Sequence, residues 1–213
     1  FLLKNKLIYT LAVYSTKFSD KMTTVSVQNE ANTATLYTYV VNGGTVNNTG
    51  VEFLVKYEAI SSKDKFVTSL RPFANLTYTN AKYENYRFET VGKGSSNQDS
   101  TFVADYSNKI VAGIPPIVFN AGVDVETKIG LYGNVVLNYR DAMYFTSDNQ
   151  NITKAYSLLN AKLGYRKQFN HIGLDAFFGS TNITSTQYYA MVFVNQLPDA
   201  YIPASREINF FGG

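Results

Sequence analysis

The 213 residues contain no cysteine, no tryptophan and a single histidine. Without cysteine there is no disulfide scaffold, no thiolate metal site and no cysteine nucleophile, although the compartment stays open. His171 has no second His or Cys to join in a metal cluster, and it falls at an expected tight turn, where a solvated side chain is the ordinary reading. Charge is also scarce: Asp, Glu, Lys and Arg make up 16% of the chain, and a scattered net charge of +3 leaves no footprint for nucleic acid. No run approaches the roughly 18 apolar residues of a membrane-spanning helix. The opening FLLKNKLIYT has neither the long apolar core nor the small-residue cleavage site of a signal peptide, so an export signal would lie upstream of Phe1. No Ser/His/Asp set, glycine-rich phosphate loop or paired-carboxylate site can be assembled, and neither an enzyme activity nor a cofactor is expected.

What the chain has is 17 Tyr, 15 Phe and a great deal of Asn, Thr, Ser and Gly, a composition typical of β-structure. Apolar and polar residues alternate with a period of two in several long stretches. In AYSLLNAKLGYRKQF, Leu159, Ala161, Leu163 and Tyr165 share one face, and Asn160, Lys162, Gly164, Arg166 and Gln168 the other. IVFNAGVDVET sets Phe119, Ala121, Val123 and Val125 against Asn120, Gly122, Asp124 and Glu126. The same holds for Ile129, Leu131, Val135, Leu137 and Tyr139 against Asn134, Asn138 and Arg140, and the pattern recurs in GVEFLVKYEAI, SLRPFANLTYT and IGLDAFFG. With the less regular opening KLIYTLAVYSTKF, read as one strand over residues 7–21, and a last strand beginning at Arg206, the total is eight strands.

Their connections alternate strictly in length. Residues 61–64, 127–129 and 170–173 are short; about 23–32, 89–108, 147–153 and 186–204 are long. Short turns on one side and long loops on the other are the habit of a transmembrane β-barrel. Aromatics at strand ends, such as Tyr139, Tyr144, Tyr165 and Phe169, suit an interfacial girdle. A soluble β-sandwich also alternates, but its strands usually run about 5 to 6 residues, shorter than the stretches here. The predicted fold class is therefore all-β: an antiparallel transmembrane β-barrel segment with short periplasmic turns and long extracellular loops.

Several residues admit a functional reading beside a plain one. Asp99 and Asp105, in the Ser/Asn/Gly-rich loop, could meet a cation or simply be solvated. Arg71, Arg140, Arg166, Lys56 and Lys162, with Glu52, Glu58 and Asp124, could line a path for anions or form cross-strand ion pairs on a wet inner wall. Loop tyrosines Tyr86, Tyr106, Tyr188, Tyr189 and Tyr201 could stack on a ligand. Asn-x-Ser/Thr triplets at Asn47, Asn75, Asn151 and Asn182 are what chance gives in an Asn/Thr-rich chain.

Four segments carry a family resemblance. YVVNGGTVNNTGVEFLVKY, DYSNKIVAGIPPIVFNAGVDVE, and YSLLNAKLGYR followed by LDAFFGSTNITSTQYYA resemble, in order, stretches of TonB-dependent outer-membrane receptors. The terminal YIPASREINFFGG is similar to their Pro-x-Arg approach to the last strand, with one extra residue between Pro203 and Arg206. The resemblance implies a barrel of about 22 strands, plugged by an N-terminal domain, in the outer membrane of a Gram-negative bacterium. It implies an iron complex, siderophore or ferric citrate, bound by the extracellular loops and released inward when TonB pulls on the plug. It also implies a lipid bilayer around the wall and a monomer. Residues 1–213 are then expected to be the C-terminal portion of the barrel. No plug, TonB box or signal peptide is recognised, and the terminal aromatic of the family lies past Gly213; ligand-contacting residues cannot be carried over. The alternatives are a complete eight-stranded barrel serving as adhesin or anchor, and a soluble binding sandwich.

Detergent phase partitioning separates these readings: a barrel wall enters the detergent-rich phase, and a soluble sandwich stays in the aqueous phase.

Overall fold

The computed structural model describes residues 6–28, 35–42, 44–93, 99–197, 200–204 and 208–213. In chain order the strands are β1 (Leu7–Phe18), β2 (Met22–Gln28), β3 (Thr35–Asn42), β4 (Thr45–Tyr57), β5 (Ile60–Ser61), β6 (Val67–Asn85), β7 (Arg87–Lys93) and β8 (Asp99–Asp105). They continue as β9 (Ile117–Thr127), β10 (Leu131–Arg140), β11 (Tyr156–Phe169), β12 (Ile172–Thr181), β13 (Tyr189–Val192), β14 (Tyr201–Pro203) and β15 (Asn209–Gly212). Eight of them form a continuous wall in the order β1-β4-β6-β9-β10-β11-β12-β15, every neighbour antiparallel, with the two-residue β5 as a small addition beside β6. The eight wall strands expected from the alternation are these eight. Among the described residues β1 and β15 end the path and do not pair with each other, so the wall is open rather than a closed eight-stranded barrel, and no second sheet packs on it as in a sandwich.

Register lines side chains up in cross-strand rows. One row on the apolar face runs Leu11, Phe53, Leu76, Phe119, Tyr139; the row below it runs Tyr9, Val55, Ala74, Ala121, Leu137, Leu159. Among the described residues nothing covers this face: Leu11, Val135, Leu163 and Phe178 all remain exposed. A broad apolar surface of this kind is the lipid-facing band of a membrane barrel. The opposite, lumenal face carries Asn75, Asn120 and Asn138 in one row.

The short connections are tight because their residues permit it. Gly130 turns at φ 96°, where a Cβ would lie 2.2 Å from the Arg166 carbonyl oxygen, and Asn170 turns at φ 28° beside an exposed His171. The long connections hold more structure than the sequence predicts. Residues 7–21 are not one strand: the wall strand stops at Phe18, Asp20 turns at φ 55° with its carboxylate accepting from Asn42 Nδ2 at 2.9 Å, and a separate hairpin β2–β3 follows. The expected loops at 89–108 and 186–204 likewise contain the hairpins β7–β8 and β13–β14. Each is a two-stranded pair whose short strands satisfy their backbone locally. Arg206 and Glu207, read as the opening of the last strand, lie outside the described residues. Phe210 and Phe211 take opposite sides of the wall, Phe210 against the outward Phe178 and Phe211 against Phe177.

A lipid-facing wall has a specific sensitivity to charge. Leu137→Arg is expected to cost about 2–4 kcal/mol in denaturant unfolding of the full-length protein in lipid vesicles, and Thr77→Arg on the lumenal face less than about 1 kcal/mol.

Candidate ligand vestibule at the outer mouth

Buried side chains concentrate where the long loops meet, above the wall. Val46, Ala81, Tyr83, Tyr86 and Val111 form a small core there, and Met143, Phe145, Ser147 and Ala200 are also buried. Polar side chains tie three connections together. Asn149 Nδ2 donates to the Ile110 carbonyl and Asn149 Oδ1 accepts from the Ile110 amide, both at 2.8 Å. Ser147 shares a hydrogen bond with the Tyr83 hydroxyl at 3.0 Å, while its amide donates to Asn195 Oδ1 at 2.7 Å. Asn195 Nδ2 donates back to Ser147 Oγ at 2.9 Å. With Ser147 only 2% exposed, these bonds are shielded from water, and losing one would leave a partner unsatisfied.

A belt of asparagines crosses the lumenal face just below the mouth. Asn160 Nδ2 donates to Asn138 Oδ1 (2.7 Å), Asn138 Nδ2 to Asn120 Oδ1 (2.5 Å) and Asn120 Nδ2 to Asn75 Oδ1 (2.8 Å). At the other end Asn160 Oδ1 accepts the Asn182 amide at 2.9 Å. Asn182, at φ 54°, then closes a turn on itself: Thr186 N donates to its Oδ1 at 2.8 Å and its Nδ2 donates to the Thr186 carbonyl at 3.0 Å. The belt thus runs from β6 to the start of the loop that carries Tyr188 and Tyr189. Two of its members, Asn75 and Asn182, are among the triplets read as chance, so the sequence reading missed their structural role.

One row above the belt, Arg140 and Tyr156 are register partners at the outer ends of β10 and β11. They form one side of a cavity of about 390 Å³, closed by Lys154 from the 141–155 loop and by Tyr188 and Tyr189 from the 182–204 loop. Tyr156 and Tyr188 stack at 4.8 Å and 29°. Tyr189 lies 4.2 Å from Tyr201, ring centre to ring centre, and burial together with that neighbour holds the Tyr189 phenol above its ordinary pKa, a neutral donor at physiological pH. Among the described residues two cations line the cavity and no carboxylate does. Arg140 Nη2 has the Met143 sulfur as its neighbour at 2.9 Å; Asp141 is turned away to the Tyr139 hydroxyl and the Ala142 amide. This arrangement suits an anionic ligand with flat, oxygen-rich groups.

The other sequence candidates lie elsewhere. Tyr86 and Tyr106 are packed together at 5.4 Å, with Tyr86 only 1% exposed, so they serve the loop core rather than stacking on a ligand. Asp105 caps the β7–β8 hairpin through the Ser107 amide at 3.0 Å, and these Ser107 hydrogen bonds hold its carboxyl below the usual range; Asp99 is the backbone register partner of Lys93 in the same hairpin. Arg71 and Arg166 sit near the inner ends of their strands in cross-strand ion pairs, Arg71 with Glu126 at 2.7 Å and Arg166 with Asp175 at 2.8 Å. Asp124 faces Arg71 in register without taking its charge, and Lys162 lies over the Phe177 ring at 3.9 Å. Glu52 and Lys56 are on β4 and Glu58 just past it, so the basic set is spread along the wall and not gathered into one path.

An antiparallel wall with an apolar outer face, a polar lumen and an ordered rim of long loops defines a segment of a transmembrane β-barrel. The chain belongs to the TonB dependent receptor-like, beta-barrel family, whose profile matches residues 2–183. Among solved structures it is similar to the siderophore receptor PiuA from Acinetobacter baumannii, with 16% identity over 98% of this chain and 26% of that one, TM-score 0.68. The ferric-catecholate import receptor Fiu from K12 E. coli gives 18% identity, 98% and 25% coverage, and TM-score 0.64. The ferric yersiniabactin uptake receptor FyuA from Yersinia pestis gives 16%, 98% and 27%, and TM-score 0.60. The chain therefore spans about a quarter of the length of these receptors.

Interrupting the belt tests its hold on the mouth. In Asn160→Ala, amide hydrogen exchange over residues 183–186 should quicken about tenfold, the loss of one net hydrogen bond, while exchange in β9 and β10 stays unchanged.

Proposed function

We propose that this chain is the C-terminal part of the barrel wall of an outer-membrane receptor that takes up an anionic iron complex, a siderophore or ferric citrate, in a Gram-negative bacterium. The carrying observation is the cavity at the lumenal mouth, where Arg140 and Lys154 face a tyrosine-lined space with no carboxylate among the described residues that line it. A ferric chelate with several oxygen donors presents negative charge and flat ligand arms, which cations and ring faces recognise together. The resemblance to receptors named for siderophores, ferric catecholate and ferric yersiniabactin supports an iron cargo. In this reading the protein works as a monomeric transporter without enzymatic chemistry. The plug and the residues that engage TonB belong to the rest of a longer chain, and TonB supplies the work of release.

The test is uptake of radiolabelled ferric complexes by cells carrying the full-length receptor. Arg140→Ala and Lys154→Ala should each weaken binding of the transported complex about tenfold, as expected for one charge-assisted hydrogen bond, with surface abundance unchanged. Undiminished uptake in the double variant would remove the cavity from the ligand path.

A further inference from the structure

The hairpin β13–β14 brings two phenols into close contact. The Tyr189 and Tyr201 rings lie 4.2 Å apart, centre to centre, at 30°, and their side chains share a hydrogen bond. Ring faces and hydroxyl ends are therefore together, which places the ortho carbons, each bonded to a hydroxyl-bearing carbon, at the contact. The pair is braced from both strands and from a neighbouring loop. Phe193 N donates to the Ala200 carbonyl at 2.6 Å and Ala204 N to the Tyr188 carbonyl at 3.0 Å. Phe145, buried in the rim, meets the Tyr201 ring edge-on at 6.2 Å and 87°.

Adjacent phenols have a characteristic oxidative reaction. Each loses one electron and its hydroxyl proton, leaving a phenoxyl radical whose spin is shared with the ortho carbons. A carbon–carbon bond forms between two of these carbons, their ring hydrogens move to the oxygens, and the product is a dityrosine. The electrons and protons released reduce one hydrogen peroxide to two waters. The pair is within reach of such an oxidant: Tyr201 is 44% exposed, and Tyr189 is half-buried on the wall of the vestibule cavity. Tyr83 and Tyr86, 4.7 Å apart, are by contrast closed inside the loop core. None of the 213 residues is a cysteine or tryptophan, the side chains that most readily quench a tyrosyl radical.

We propose that Tyr189 and Tyr201 form an oxidative cross-linking site, at which hydrogen peroxide, with iron passing the electrons one at a time, couples the two rings and staples β13 to β14. The iron-uptake reading supplies only the source of the metal beside Tyr189; the ring geometry stands without it. The linkage joins strands that are already paired, so the hairpin carrying Tyr189, Val192, Pro203 and Ala204 on the cavity wall opens less often. Peroxide meeting iron at the mouth thus stiffens one side of the vestibule.

Full-length protein in detergent micelles, exposed to ferrous sulfate and hydrogen peroxide, tests this by dityrosine fluorescence and by peptide mapping. Chymotrypsin cuts after Phe193 and Leu197, so the two tyrosines separate unless their rings are joined. Fluorescence should fall about tenfold in Tyr189→Phe and in Tyr201→Phe, the advantage of a preset contact over chance encounter, and persist in Tyr156→Phe. Exchange of the Phe193 amide should slow about tenfold in the linked protein. No linked peptide in the parent protein, a link between Tyr156 and Tyr188 in its place, or fluorescence unmoved by both phenylalanine variants overturns the site. A yield that rises with protein concentration assigns the link to two copies and also overturns it. Linkage by a photo-activated ruthenium oxidant but not by iron with peroxide overturns the iron-driven step. Failure of iron uptake in the vestibule variants alters none of these readouts.

Discussion

In a hydrocarbon environment no water is available to an extended backbone, so every N–H and C=O must find its partner on a neighbouring strand. That constraint fixes most of what this chain does. From β1 to β15 each wall strand is paired in antiparallel register with the next, and register in turn decides which side chains meet lipid. A slip of one residue between β9 and β10 would carry Asn120 or Asn138 to the apolar side and Phe119 or Tyr139 to the lumen. The belt of asparagine amides locks the same register from the side chains, because the donors and acceptors line up only when Asn75, Asn120 and Asn138 stand in one row.

A single-layer wall has no interior, and the chain places its close packing at the rim instead. The buried core, the Ser147 and Asn149 bonds and the tyrosine contacts all belong to the long connections and the strand ends that feed them. Loops that carry function are ordinarily mobile; here three of them are cross-linked to one another by partly buried hydrogen bonds. A vestibule whose loops support each other keeps Lys154, Tyr188 and Tyr189 in place against Arg140 and Tyr156, which are fixed by the wall. On the proposed reading, less ordering is then left to ligand binding.

The wall was legible in the sequence because period-two alternation over ten or so residues leaves little else to build, and because Gly130 and the Asn170–His171 pair mark turns by their own backbone preferences. Arg140, Tyr188 and Tyr189 could be placed in a class of candidates for the same reason: strand parity or loop position was enough. The hairpins within the long connections were hidden. Their strands, such as Met22–Gln28 and Asp99–Asp105, are short and polar, and they owe their existence to a partner strand rather than to a pattern of their own. Tyr86 and Tyr106 were misread because an aromatic in a loop shows nothing about whether it faces a ligand or another ring. The asparagine belt and the cavity were invisible for a deeper reason: both bring together residues from separate strands or loops, so their geometry exists only once the register is known.

The distribution of charge along the lumenal face follows from these constraints. At the outer mouth two cations line the cavity, with no carboxylate among the described residues there; across the belt the polar groups are neutral amides that already bond one another; near the inner ends Arg71 and Arg166 are matched by Glu126 and Asp175. Cations with no carboxylate beside them draw an anion from solution and raise its local concentration at the entrance. Amides engaged in their own ladder offer an anion no fixed charge to hold it, and paired ions with half-exposed side chains present little net field. This part of the wall therefore sets Arg140 and Lys154 where the loops are braced, and matches Arg71 and Arg166 with carboxylates near its inner ends.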